Sequence, residues 1–512
     1  MPPSPALRLG GGPYAHKLRE ERSPEMPSGL YAKLLCRVLA PLALGYGVCL
    51  VDRINMSMAQ LQMAGELRMS QAAFGVAASS FFITYTALQV PANFVLARVG
   101  AKRCLAIYLV CWGTISAAHG LVQNVQQLVV LRVALGVFEA GFFPGCVYFL
   151  TRWFPPHVAA QVNALLGVGA GALSGVFFAT SGLIMDLLDG VGGLGGWRWL
   201  FLVQGLPGLP MGAALWLLMD ESPARARWLR PEEAAFLLRS CADPELAANR
   251  GASLWRALLE IFSLPTTVVF GLTWLSTTLE SYSLAFYDPR ITKDVLPDWS
   301  ATKIGLVGAL PMAIQIVGSP LIARWADGGG AARKAGLVWG LASFKKLMAL
   351  LAALPLLLAS ERGEGGEEEG VFYWIVTRLG LVWVVSAAEV MWAIHHRVQP
   401  AHLLPISIAA VNMFGQLGGL LGPSTLGILH DYFSPPCPQK HELGGLLSIL
   451  NLGHQAPTPA SCAAQWGWPL VLLYGSSLLA FVLLGFAALR LGLASETEGR
   501  APPRDGGGPA LL

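Results

Sequence analysis

The stretch from Gln126 to Leu150 is an apolar run long enough to cross a bilayer, yet it carries Arg132 and Glu139. Hydrocarbon penalises each of these groups by several kcal/mol. Seven residues along a helix amount to about 10.5 Å of rise at nearly the same azimuth. One face of this helix therefore presents a cation above an anion, and that face cannot look at lipid. Either it lines an aqueous cavity that carries a charged substrate or a proton, or it forms a structural ion pair buried between helices. Ionisable groups inside a membrane favour the first reading.

Composition fits that setting. Of the 512 residues, 54% are apolar and 13% charged, against about 25% charged in soluble domains. The chain is an integral membrane protein by that measure. A net charge of +4 without interleaved basic and aromatic residues gives nucleic acid no footing. The eight cysteines show neither C-x-x-C nor zinc-ligand spacing. Walker, Ser/His/Asp and HExxH patterns are all missing, which argues against an ATP-driven pump, a hydrolase or any enzyme. No cofactor or metal is expected.

The expected fold is all-α, with twelve transmembrane helices in two six-helix halves. Residues 1–33 carry no signal-peptide core and read as a disordered cytoplasmic tail. The first bundle covers 34–219, with spans at about 34–58, 73–97, 104–121, 126–150, 158–185 and 197–219. A charged cytoplasmic loop, 220–257, follows. The second bundle covers 258–490, with spans at about 259–287, 304–325, 335–360, 371–394, 404–430 and 468–490, before a tail at 491–512. Orientation comes from the short loops. Arg98, Lys102, Arg103, Arg152, Arg333, Lys334 and Arg397 fall on one side, and Asp186, Asp189 and Glu364–Glu369 on the other. Both termini are then cytoplasmic.

Lys345 and Lys346 interrupt the ninth run. They either face a cavity or precede the start of the helix, and an adjacent pair pointing about 100° apart favours the later start. The two halves echo one another. Leu96–Arg103 resembles Ile322–Lys334, Glu139 has a counterpart in Glu389, and Arg132 is loosely matched by Arg378. The glycines of span five match those of span eleven in style. This is the pattern of a secondary transporter whose substrate site lies between parallel repeats near mid-membrane.

The candidate chemistry begins at the end of span one, V-D-R-I-N-M-S, with Asp52 and Arg53. Asp52 and Arg132 sit at the same depth, about 9 Å below the outer surface, and should seek each other or a ligand. Glu139 lies deeper and alone, near the bilayer centre. An arginine cannot lose its charge and suits an anion, so Arg53 or Arg132 is the candidate anion binder. Asp52 and Glu139 are the candidate proton carriers, since a carboxyl in apolar surroundings can hold and release a proton near neutral pH. The alternative for Asp52 and Arg53 is an interfacial pair snorkelling to headgroups. Tyr85 and Asn412 are further candidates for substrate contact, ahead of Gln89, Glu280, Tyr282 and Gln416, each of which could equally be a packing hydrogen bond. Cys437 and Cys462 share one extracytoplasmic loop, where a disulfide is feasible.

Several segments carry a family resemblance: V-D-R-I-N-M-S-M-A-Q-L-Q-M (51–63), F-F-I-T-Y-T-A-L-Q-V-P-A-N (81–93), L-R-V-A-L-G-V-F-E-A-G-F-F-P-G (131–145), Y-F-L-T-R-W-F-P (148–155), W-R-W-L-F-L-V-Q-G-L-P (197–207) and I-A-A-V-N-M-F-G-Q-L-G-G-L-L-G-P (408–423). With them the chain resembles the anion:cation symporters of the major facilitator superfamily, which include tartrate, phthalate, hexonate, allantoate and nicotinate permeases. The resemblance implies a rocker-switch fold and co-transport of an organic anion with H+ or Na+. It implies cation coupling by Asp52 and Glu139, a substrate carboxylate on Arg53, and Arg132 as a partner of the acids. Ala97 stands where the family carries an acid before Arg98, and Gly328 follows Asp327 where Arg is usual, so the gating role of those loops is in doubt. Leu50 replaces the tyrosine of several sugar-acid transporters, which argues against a polyhydroxylated acid.

The leading expectation is thus a proton-coupled symporter of a small carboxylate, acting as a monomer in the plasma membrane. A passive facilitator or exchanger on the same fold, or a non-transporting nutrient sensor, are the alternatives.

Overall fold

The computed structural model describes residues 26–155, 158–241, 262–314, 316, 318, 331–362, 367–379, 404–433 and 465–498. Every regular element among them is a helix. The first half contains Leu30–Glu66, Gln71–Val99, Ala101–Leu121, Val125–Thr151, Ala159–Leu188 and Gly196–Leu218. Six helices of this half are long and apolar enough to cross a membrane. The second half contains Pro265–Val295, Ala301–Ile314, Ala331–Arg362, Glu367–Leu379, Leu404–Phe433 and Gly467–Glu498. Each expected span overlaps a described helix, the eighth and tenth over part of their length, and these are numbered one to twelve below. Leu217, Leu187 and Val130 stand exposed on the outside. In water such a surface promotes aggregation, whereas in hydrocarbon it is the solvated side.

Local chemistry sets the boundaries. Ser70, Asn124 and Ser300 begin spans two, four and eight, accepting from the N–H groups of Ala73 at 3.2 Å, Gln127 at 2.9 Å and Lys303 at 3.3 Å. Gly100, at φ 103°, lets span two turn directly into span three. Span four breaks after Glu139 and resumes at Phe142. Pro144 explains the break, because its ring excludes the carbonyl four residues earlier, that of Ala140.

One expectation is overturned here. The ninth helix does not start after the lysine pair but runs unbroken from Ala331 to Arg362, with Lys346 buried in its middle. Cys437, Cys462, Glu389, Asp327 and Gly328 lie outside the described residues.

The two halves meet by a repeated device. Span five ends in Gly182-Leu-Ile-Met-Asp186, and span eleven in Gly427-Ile-Leu-His-Asp431. A Cβ on Gly182 would overlap the Ala301 carbonyl at the start of span eight, and one on Gly427 the Gln71 carbonyl at the start of span two. Four residues on, each aspartate caps the helix so approached. Asp186 accepts from the Thr302 N–H at 2.7 Å and its hydroxyl at 2.5 Å. Asp431 accepts from the N–H groups of Gln71 at 3.2 Å and Ala72 at 2.7 Å. Tyr287 adds a bond to the Gln71 carbonyl at 2.6 Å. Unsatisfied N–H groups at a helix start favour an anion, so each half caps a helix of the other. These caps lie on the acidic loop face. Further along span five the approach to span eight is looser: a Cβ on Gly175 would stand 3.9 Å from Met312 and one on Gly171 4.0 Å from Ile316.

On the basic loop face, Glu221 accepts from the N–H groups that begin span three, Ala101 at 2.9 Å and Lys102 at 3.1 Å, and pairs with Arg152 at 3.2 Å. Glu233, on the short helix Pro231–Ser240, takes Lys33 at 2.8 Å and the Arg230 N–H at 2.8 Å. Burial would raise its carboxyl, but the bonds from Lys33 and Arg230 outweigh burial and hold it down to about 2.

Two outcomes follow. Replacing both caps, D186A/D431A, removes about 1 kcal/mol each from the closed acidic face, about a thirtyfold shift toward opening in all. Pulsed EPR distances across that face measure it. Glu233→Gln lowers unfolding stability by about 1 kcal/mol at neutral pH. A depressed carboxyl stabilises above its unfolded value of about 4.3 and loses that contribution as pH falls toward the folded value. Thermal melts of wild type and variant therefore converge only below about pH 4.

Candidate functional site

Span one delivers Asp52 and Arg53 on adjacent faces, and neighbouring helices sort them. Trp112 and Ser116, four residues apart on one face of span three, both donate to the Asp52 carboxylate, Ser116 at 2.5 Å. Asn55 adds a bond at 3.3 Å. Among the described residues this carboxylate forms no ion pair. Arg132, fully buried, reaches the same level but donates from Nη1 to the Asp52 backbone carbonyl at 3.1 Å. The depth match thus brings the two residues together, while neutral donors hold the carboxylate. The remaining Arg132 nitrogens, Nε and Nη2, have no hydrogen-bond partner among the described residues.

Glu139 is not alone. Arg53 forms an ion pair with its Oε1, and the Glu139 side chain is fully enclosed. The pair forms at the break in span four, where the helix ends on Glu139. The Arg53 side chain keeps 11% exposure, whereas Glu139 has none.

Span two supplies the aromatic wall. Phe81 and Tyr85 stack with centroids 5.1 Å apart. The Arg53 guanidinium lies 4.6 Å from the Tyr85 ring centre and 5.3 Å from that of Phe81, with Arg132 5.4 Å from the latter. Phe81 thus has two cations within cation–π range, attracted by its ring quadrupole. From the other half, Tyr282 packs on Phe82 at 4.7 Å and acts electrostatically on Arg53. Asn412 is half-buried on span eleven and forms no hydrogen bond with the described residues.

The second half holds a group that sequence reading did not assemble. Lys346 forms an ion pair with Glu280 Oε2 and donates to Ser477 Oγ at 2.6 Å, and Ser477 donates to the same Glu280 oxygen at 2.7 Å. All three are buried. Nearby, the Tyr373 and Tyr474 hydroxyls bond at 2.9 Å. Glu280, Tyr373, Thr377 and Tyr474 line a cavity of ≈ 120 Å³ that also touches Ile54 and Phe178 of the first half. Glu280 had a sequence signal, a charge in an apolar span. Trp112, Ser116 and Ser477 had none, because each is ordinary in a membrane helix.

Comparison with known proteins agrees with this architecture. The profile of the Major Facilitator Superfamily matches residues 42–423. A protein assigned as a tartrate transporter in Agrobacterium vitis is 29% identical over 425 residues, 83% of this chain and 90% of that protein. A protein assigned as the metabolite transport protein NicT of Pseudomonas putida is 33% identical over 298 residues, 58% of this chain and 67% of its own. Among solved structures, a bacterial homologue of the human lysosomal transporter Spinster, inward-facing and occupied, superposes with a TM-score of 0.66 at 18% identity. That superposition covers 93% of this chain and all of the other, and speaks for the fold alone. With its helices in two six-span halves and a profile match across both, the chain is a multi-pass membrane transporter and belongs to the Major Facilitator Superfamily.

Proposed function

We propose that the chain is a secondary active transporter that moves a small organic carboxylate together with a proton, by alternating access between the halves 34–219 and 258–490. The observation that carries this is the buried Arg53–Glu139 pair, in which the Arg53 side chain keeps 11% exposure. An arginine holds its charge and takes a carboxylate by parallel N–H bonds. A substrate carboxylate arriving at Arg53 competes with Glu139 for the same donors. Glu139, fully enclosed, is then left without its counter-charge, and a buried carboxylate in that position takes a proton. Substrate and proton load together because each makes the other tolerable. Asp52, held only by neutral donors, is the second proton carrier. Tyr85 offers the substrate its ring and hydroxyl, Arg132 is the fixed positive partner, and Asn412 of span eleven is assigned a substrate contact from the second half.

The basic loop face is taken as cytoplasmic, by the positive-inside bias, with 1–33, 220–257 and 491–512 on that side. The acidic-face caps then close the outside. One chain contains both halves and so acts as a monomer, placed here in the plasma membrane. The tartrate assignment of the Agrobacterium vitis relative supports a carboxylate.

The test is uptake into proteoliposomes of a carboxylate panel, with and without an inward proton gradient. Glu139→Gln is expected to abolish gradient-driven accumulation while substrate exchange continues, because the glutamine no longer carries a proton. Accumulation that survives this change overturns proton coupling through Glu139, and uptake indifferent to the gradient in wild type indicates a facilitator. Arg53→Lys, which loses the two-pronged grip, is expected to raise KM by about tenfold to a hundredfold.

A further inference from the structure

The two seams of the acidic face share one construction and differ at the residue before the capping aspartate. Met185 precedes Asp186 in span five, and His430 precedes Asp431 in span eleven. Met185 is buried, and its carbonyl meets Gly196 at the start of span six. His430 lies in the last turn of its helix, with its ring centre 4.4 Å from that of Trp466 at the start of span twelve. A thioether carries no charge at any pH, whereas an imidazole is the side chain whose ordinary titration falls between about pH 5 and 8. At this position one seam has a group that takes up a proton and the other has none.

The imidazole touches the cap itself. His430 Nδ1 lies 3.4 Å from Asp431 Oδ1, the oxygen that also accepts the Gln71 N–H at 3.2 Å, while Oδ2 accepts that of Ala72 at 2.7 Å. The His430 side chain is not sealed, keeping 11% exposure. On its own half, Trp466 donates to Asp294 of span seven at 3.0 Å, Asp294 pairs with Arg290 at 3.0 Å, and Tyr287 packs edge-on against Trp466. Across the seam stand neutral groups, Ser70 and Gln71, the latter accepting from Gln60 at 2.7 Å. The charged residues of the turn before span two, Glu66 and Arg68, are exposed, and Glu66 is paired with Arg198. His430, Asp431, Trp466, Asp294 and Arg290 all belong to the second half and move with it. Protonation of His430 therefore changes little within that half and much of what span two meets.

We infer that His430 is a pH-sensitive release on the acidic-face gate: its protonation cancels the charge with which Asp431 caps span two, and so opens that seam. The inference rests on the alternating-access reading above, which makes this face a gate. A helix start attracts a carboxylate because its free N–H groups carry partial positive charge. Asp431 beside a neutral imidazole turns a full negative charge toward Gln71 and Ala72. Beside an imidazolium on the same oxygen the pair turns almost none, and the imidazolium itself is repelled by the positive helix end. The seam at Asp186 has no such neighbour before its aspartate and keeps its cap. With the acidic face outside, a more acidic exterior then opens the carrier toward the proton-rich side.

The experiment is pulsed EPR between spin labels on the two halves of the acidic face, in the full-length protein in lipid nanodiscs, from about pH 8 to about pH 5.5. The ratio of open to closed populations in wild type is expected to grow about twofold to fivefold on acidification, the scale of one helix cap. His430→Met, which gives this seam the residue the other seam carries, is expected to lose most of that growth, and so is the neutral His430→Gln. Asp52 and Glu139 are present in wild type and variants alike, so the difference between the profiles reports His430. Asp431→Asn, which leaves no cap charge to cancel, is expected to be more open at the higher pH and to lose the same growth. Growth undiminished in His430→Met or, should that variant not fold, in His430→Gln overturns the inference. So does a wild type that closes on acidification or does not respond. If D186A/D431A opens the face while wild type is indifferent to pH, only the role of His430 fails. If one distance persists in every variant at every pH, the alternating-access reading fails with it.

Discussion

Arg53 and Glu139 meet because neither could stay in this bundle alone. Hydrocarbon does not solvate charge, so a helix carrying a lone guanidinium or carboxylate either leaves the membrane or finds an opposite charge across a helix interface. The rest of the first half is arranged around that meeting. Span four breaks at Glu139, span two lays Phe81 and Tyr85 under the guanidinium, and span three takes Asp52 out of competition through Trp112 and Ser116. Had Asp52 paired with Arg53 instead, Glu139 would face the apolar interior without a counter-ion. Neutral donors on Asp52 are therefore what frees Arg53 for Glu139, and, in the proposed cycle, for a substrate.

The contacts between halves are of another kind. Asp186 and Asp431 bind backbone N–H groups at helix starts, on a face partly open to water. Such caps contribute about 1 kcal/mol each, far less than stranding a buried charge costs. That ranking suits a transporter, in which the gate must break repeatedly while the central pairs only exchange partners. The repeat makes the two gates equivalent. Gly182 and Gly427 let the helices approach, and the aspartate one turn later closes each cap, so the two seams are built alike.

Much of this was legible in the chain. Apolar length pointed to the six spans of the first half and to the described helices of the second, because crossing a bilayer requires about twenty apolar residues whatever surrounds them. Arg132, Glu139 and Asp52 stood out as charges where charge is costly, and their depths placed Arg132 level with Asp52. Two things were not legible. Which acid takes which base depends on azimuth, and a rotation of one residue, about 100°, separates Asp52 from Arg53. Lys346 was also obscured. Read along its own helix it argues for a later start, since a lone lysine in hydrocarbon is penalised. Its partners lie 66 and 131 residues away in sequence, on helices that local periodicity says nothing about.

By itself, then, the sequence determined that the chain spans a membrane in two related halves, which family it resembles and which side chains are too costly to face lipid. Those conclusions rest on transfer energies and helix rise, which act residue by residue. Only the tertiary structure decided that Arg53 rather than Arg132 holds Glu139, that Asp52 is held by neutral donors, and that Lys346 closes on Glu280 and Ser477 at the wall of the central cavity. Pairing is set by how helices are turned against each other, and that rotation is a property of the packed bundle rather than of any one span.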